Sequence, residues 1–109
     1  MPPAVDVNFQ NVSDNCTIST PTSPPFFQVE VYWNNPLNKD GTVTLTGSNG
    51  VTITPASRPA TMFDQGTALF SLSASSTVSG VSLTAKIEVP TNPKAQKSAT
   101  VTGVTVNVT

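Results

Sequence analysis

From Gly66 to Glu88 apolar and polar residues alternate in two runs, Gly-Thr-Ala-Leu-Phe-Ser-Leu-Ser-Ala and Val-Ser-Leu-Thr-Ala-Lys-Ile-Glu, joined by a polar Ser/Gly connection. A period of two places one set of side chains in a core and the other in water, whereas a helix would need a period near 3.6. Such a chain is constrained to antiparallel sheets that pack face to face.

The same reading extends along the chain. Val5, Val7 and Phe9 alternate, and Cys16 to Ile18 gives a short further piece after the turn at Ser13-Asp14-Asn15. Phe27, Val29, Val31 and Trp33 share one face of a strand whose other face carries Phe26, Gln28, Glu30 and Tyr32. Strands are expected at 42–46 around Val43 and Leu45, at 51–54 around Val51 and Ile53, at 67–74, at 81–89 and at 98–108. Gly47-Ser48-Asn49-Gly50 reads as a tight reversal between the first two of these, and Pro55 and Pro59 as the start of a longer crossing, so that every proline falls between elements. In the last strand Ala99 and Val101 have one parity and Val104, Val106 and Val108 the other, with Gly103 between them. An alternation slips by one only through an extra residue, which predicts a β-bulge at Thr102-Gly103.

Seven strands result, or eight with the Cys16 segment, with turn signals every eight to twelve residues or so, as in an immunoglobulin-like β-sandwich. At 109 residues the chain is expected to form one domain, residues 1–109. Residues 1–25 would be an N-terminal arm ending in a Pro-rich connector, Pro21 to Pro25, and residues 26–109 the main body. The arm is expected to close its own sandwich and leave the isolated domain a monomer, although an arm of this kind could also pair with a neighbour's sheet edge.

Charged residues are only 10 % of the chain and balanced, Lys+Arg 5 against Asp+Glu 6, with the basic residues scattered. Nucleic acid, which demands a clustered basic face, is not an expected partner. No segment approaches the roughly 20 apolar residues of a membrane span, so no membrane insertion is expected. Met1-Pro2-Pro3 lacks the basic start and apolar run of a signal peptide. An export signal or anchor would then belong to a longer parent chain, or the protein would be released by lysis as a virion component.

The sequence holds no His and one Cys, Cys16, which removes Ser-His-Asp and Cys-His nucleophilic sites, His-containing zinc sites and an intrachain disulfide. The six acidic residues do not converge on one strand face. Asp40 and Asp64 lie in loops where calcium could be considered, but without a repeated Asp-x-Asp spacing they read as turn formers. No enzyme, no catalytic residue, no metal and no cofactor is expected. Sequons at Asn11, Asn15 and Asn107 are expected to be unused. Trp33 reads as core. The candidate binding residues are Phe26 and Tyr32, of the parity opposite to the core, with Asn34 and Asn35 in the loop from Asn34 to Gly41.

Between Val29 and Ile87 the order of features resembles a bacterial immunoglobulin-like repeat of the invasin and intimin kind. A Val-rich strand, an Asn/Pro/Gly loop and Gly41-Thr42-Val43-Thr44-Leu45-Thr46 are followed by Asp64-Gln65-Gly66-Thr67-Ala68 leading into Leu72, then Leu83-Thr84-Ala85. In this motif the Gly would admit a tight strand start and the Ala would pack inward. Asn34-Asn35-Pro36 departs from the family's Asp with Gly, and the arm has no counterpart. The resemblance implies a rigid, non-catalytic spacer module of a bacterial surface adhesin or of a phage tail or capsid protein, extracellular, at the cell surface or in the virion. Its partners would be neighbouring domains of a longer chain or virion subunits. The alternative is a carbohydrate- or protein-binding module that recognises a host glycan or surface protein.

Overall fold

A computed structural model describes residues 4–21, 25–48 and 50–108. These form nine strands and no helix: β1 Asp6–Phe9, β2 Thr17–Thr20, β3 Phe27–Asn35, β4 Gly41–Gly47, β5 Thr52–Thr54, β6 Ser57–Ala60, β7 Asp64–Ser73, β8 Val78–Val89 and β9 Ala95–Val108. A four-stranded sheet runs β1-β3-β7-β5 and a five-stranded sheet runs β2-β9-β8-β4-β6. Residues 22–24 of the Pro-rich connector and Asn49 of the expected reversal lie outside the described residues.

The alternation does what the sequence demands. Val29, Val31 and Trp33 from β3, Ala68, Phe70 and Leu72 from β7, Val43 and Leu45 from β4 and Val81, Leu83, Ala85, Ile87 and Val89 from β8 are buried between the sheets. Each large aliphatic or aromatic side chain so buried contributes about 1.5–3 kcal/mol of transfer free energy. The arm belongs to the same core: β1 pairs with β3, and Val5, Val7, Val12 and Ile18 join the buried cluster. Beyond β1 the Asn11 side chain continues the ladder, accepting from Glu30 N–H at 2.9 Å and donating to Gln28 O at 2.8 Å. Cys16 is half-buried against this core.

The bulge lies where the phase change placed it. Val81 pairs with Val104 and Leu83 with Val101, so Thr102 and Gly103 together oppose Ser82. Gly103 has φ 68°, and Val101, Val104 and Val106 all point inward. A second bulge on the facing strand, at Ser79-Gly80 with Gly80 also at φ 68°, restores the register one step further on.

Four expectations are corrected. The described residues hold nine strands because Ser57–Ala60 pairs with β4 as an additional edge strand. They are not all antiparallel, since β2 runs parallel to β9, with Thr17 opposite Thr105 and Thr20 opposite Val108. Residues 47–50 do not close a hairpin: β4 lies in the five-stranded sheet while β5 pairs with β7 in the other, so the chain changes layers there. Pro59 is inside β6, not between elements. The chain tolerates it because β6 is an edge and Leu45 N–H, bonded to Ala56 O at 3.2 Å, sets a phase in which Pro59 turns away from β4.

The outward N–H groups of β1 are likewise taken out of pairing. Val7 N–H donates to Asp6 Oδ1 at 3.0 Å and Phe9 N–H to Asn8 Oδ1 at 2.9 Å. These are the N–H groups that point away from β3, and their own neighbours cap them.

Candidate binding surface

The outer face of the four-stranded sheet carries the side chains of opposite parity to the core. Tyr32 and Asn34 stand there on β3, opposite Thr67 and Gln65 of β7 on one side and Asn8 and Asp6 of β1 on the other. Both are half-buried, and the Tyr32 hydroxyl donates to Gln65 Oε1 at 3.1 Å. Asp6 is held by Lys97, whose Nζ lies 2.8 Å from Asp6 Oδ1. The hydrogen bond from Lys97 holds the Asp6 carboxyl below its usual value of 3.8, against a small opposing effect of burial and with help from Val7 N–H.

The four residues expected to form a binding surface do not come together. Phe26 precedes β3 at the far end of the sandwich, half-buried, six positions and so about 20 Å along the strand from Tyr32. Asn35 is not a loop residue open to ligand: it is the last residue of β3, faces inward and is 0 % exposed. Its Nδ2 donates to Lys39 O at 2.8 Å and Ala60 O at 2.9 Å, and its Oδ1 accepts from Leu37 N–H at 3.1 Å. One amide thus ties the 36–40 loop to the end of β6. Trp33, expected in the core, is 8 % exposed.

The prominent apolar surface lies elsewhere. Met62 is 45 % and Phe63 67 % exposed in the connection from β6 to β7, where the chain passes from one sheet to the other. Phe63 has φ 55°, uncommon for a bulky residue. Met62 N–H donates to Asp40 Oδ1 at 2.9 Å and Phe63 N–H to Leu37 O at 3.2 Å, so the neighbouring loop fixes this connection. A shallow recess of about 400 Å³ lies beside it, lined by Asn34, Pro36, Phe63, Asp64 and Gln65. Asp40 and Asp64, considered above for calcium, each accept a main-chain N–H, from Met62 and Gln65. The sequence signal for this surface was an apolar pair, Met62-Phe63, inside a run of turn and polar residues.

The Asp64 to Ala68 motif is partly as expected. Ala68 packs inward at 5 % exposure, but Gly66 sits beside the Trp33 indole where a Cβ would make ordinary contact at 3.5 Å, so the backbone does not require glycine there.

Chemically, the surface offers hydroxyl, amide and apolar groups around one carboxylate–ammonium pair, a set suited to recognition. Comparison with known proteins finds no matching family model, no similar curated protein and no matching solved structure.

Proposed function

We propose that the chain is an immunoglobulin-like structural module that acts as a spacer without catalysis, in a bacterial surface adhesin or a phage tail or capsid protein. Its place is then the cell surface, the extracellular space or the virion, and its partners are adjoining domains or virion subunits. The observation that carries this reading is where the chain enters and leaves. β1 starts beside the finish of β3, at one end of a body 45 × 24 × 19 Å, and β9 finishes at the opposite end, so the chain advances along the long axis.

The strand order supports the same reading. β1-β3-β7-β5 and β9-β8-β4 correspond to the two sheets of an immunoglobulin-like sandwich, with β2 and β6 as additional edges. Tension applied through the two ends pulls the parallel β2 and β9 in opposite directions along their axes and loads their hydrogen bonds together. Single-molecule pulling tests this. Handles at the two chain ends are expected to require several-fold more force than handles in the 36–40 and 90–94 loops, which peel strands apart one bond at a time. Equal or lower force for end-to-end pulling would remove the case for a load-bearing spacer.

A further inference from the structure

Main-chain groups at a sheet edge must find water or another chain, and part of β7 is such an edge beside an apolar groove. In a strand the N–H and C=O of one residue point to the same side, and the side alternates along the chain. Three contacts fix the phase. Glu30 donates its N–H to Asn11 Oδ1 at 2.9 Å and accepts at its C=O from Gln10 N–H at 2.9 Å, so it turns away from β7. Its partner Leu69 therefore turns away from β3, and Leu69 O accepts from Arg58 Nε at 3.0 Å. Gln65, of the same phase, has its N–H capped by Asp64 Oδ1 at 2.8 Å. Between these capped positions Thr67 directs both its N–H and its C=O outward, and β5, which covers β7 at Ser71 to Ser73, ends before reaching it.

The open edge borders a groove of about 450 Å³ between β6 and β7, whose lining includes Trp33, Pro59, Ala68 and Leu69. The exposed large apolar side chains among the described residues, Met62, Phe63 and Leu69, all lie on β7 or in the connection leading into it. Charges mark both ends of the open stretch. Among the described residues, Arg58 and Asp64 take part in no ion pair.

We infer that this groove is a strand-addition site that takes an extended segment of a partner polypeptide, antiparallel to β7 in continuation of β5. The residue opposite Thr67 supplies a main-chain acceptor and donor. Its two neighbours point inward with Gly66 and Ala68, whose small size leaves room for apolar side chains over Trp33. A carboxylate of the partner faces Arg58 and a cation faces Asp64. The inference does not depend on the spacer reading, and the pulling experiment and the one below fail separately.

The probe is acetyl-Thr-Asp-Val-Thr-Val-Lys-Thr-amide, followed by main-chain amide exchange and by the fluorescence of Trp33, the single tryptophan of the sequence. In the free protein Thr67 N–H is expected to exchange rapidly while Gly66 and Ala68, bonded to β3, are protected. Saturation with the peptide then protects Thr67 and changes Trp33 emission. Proline at the central Thr of the peptide, or exchange of its Asp and Lys, weakens binding about tenfold or more, as expected for loss of one net hydrogen bond or charge contact. The exposed Arg58→Gln weakens the original peptide while leaving the melting temperature in place. Each of the following overturns the inference: Thr67 protected in the free protein, no binding at millimolar peptide, equal binding of the altered peptides, perturbation centred on Asn34 and Pro36, or a concentration-dependent dimer that protects Thr67 without peptide.

Discussion

Asn35→Ala removes three hydrogen bonds from a fully buried position, and their fates differ. The bond to Ala60 O is buried, and its loss leaves that carbonyl with the Gly41 N–H of the β4–β6 ladder as its partner, at a cost of about 1 kcal/mol. Lys39 O and Leu37 N–H belong to a partly exposed loop where water replaces the lost partner, at about 0.5 kcal/mol each. The sum is about 2 kcal/mol, which for a domain of this size lowers the urea midpoint by about 1.5 M. Asn35→Asp is expected to do worse near neutral pH, because it sets a carboxylate against the two carbonyls of Lys39 and Ala60. Burial raises the folded pKa of such a group above its unfolded value of about 3.9, so its contribution is intact below that value and is lost as pH rises through the folded pKa. The variant should therefore be closest to the parent near pH 4 and fall away toward pH 7. Tyr32→Phe, three positions earlier on the outer face, is the control, with a change of about 0.5 kcal/mol or less. Urea unfolding of the three variants decides: a loss below about 1 kcal/mol for Asn35→Ala would refute the anchoring role of this amide.

Gly103→Ala should destabilise more than Gly80→Ala in the same assay. Both glycines have φ 68°, at about 1 kcal/mol for an L side chain, but a Cβ at Gly103 also collides with the Asn15 side chain whereas the one at Gly80 meets nothing within 4 Å. Val7→Ala, in the arm, is expected to cost about 2 kcal/mol, as a core position should, and a loss under about 0.5 kcal/mol would make the arm peripheral. Lys97→Gln should return the Asp6 pKa toward 3.8 in a carboxyl NMR titration. Because the folded pKa is depressed, the pair stabilises above the unfolded pKa and its contribution is lost as pH falls through the folded value. The pair is about half exposed, with side chains 55 % and 47 % accessible, so the whole effect at neutral pH stays below about 1 kcal/mol.

The core was legible because burial follows parity. Val29, Val31 and Trp33, and Val81 through Val89, read inward from letters alone, and the valine phase change located Gly103. What the alternation did not encode was partnership. The Gly47 to Gly50 segment has hairpin composition whether the next strand returns to the same sheet or crosses to the other; a long-range pairing of β5 with β7 decides. Pro59 hid β6, since a missing N–H matters only on the bonded side of an edge. Asn35 was misplaced because a turn-forming Asn and a buried bracket look alike until the carbonyls of Lys39 and Ala60 are seen around its amide. The αL turn at Phe63 arises from a change of layer and leaves no mark in local composition.

The side-chain caps on Val7 and Phe9 and the proline in β6 also bear on crowding. Copies of such a module held on one polymer or packed on one shell meet at effective concentrations in the millimolar range, where bare strand margins fuse into fibrils or exchange segments while still folding. One carboxylate oxygen, one carboxamide oxygen and one imino ring take three main-chain donors on two flanks out of that fusion. Dense arrays of identical copies then become compatible with each copy maturing alone.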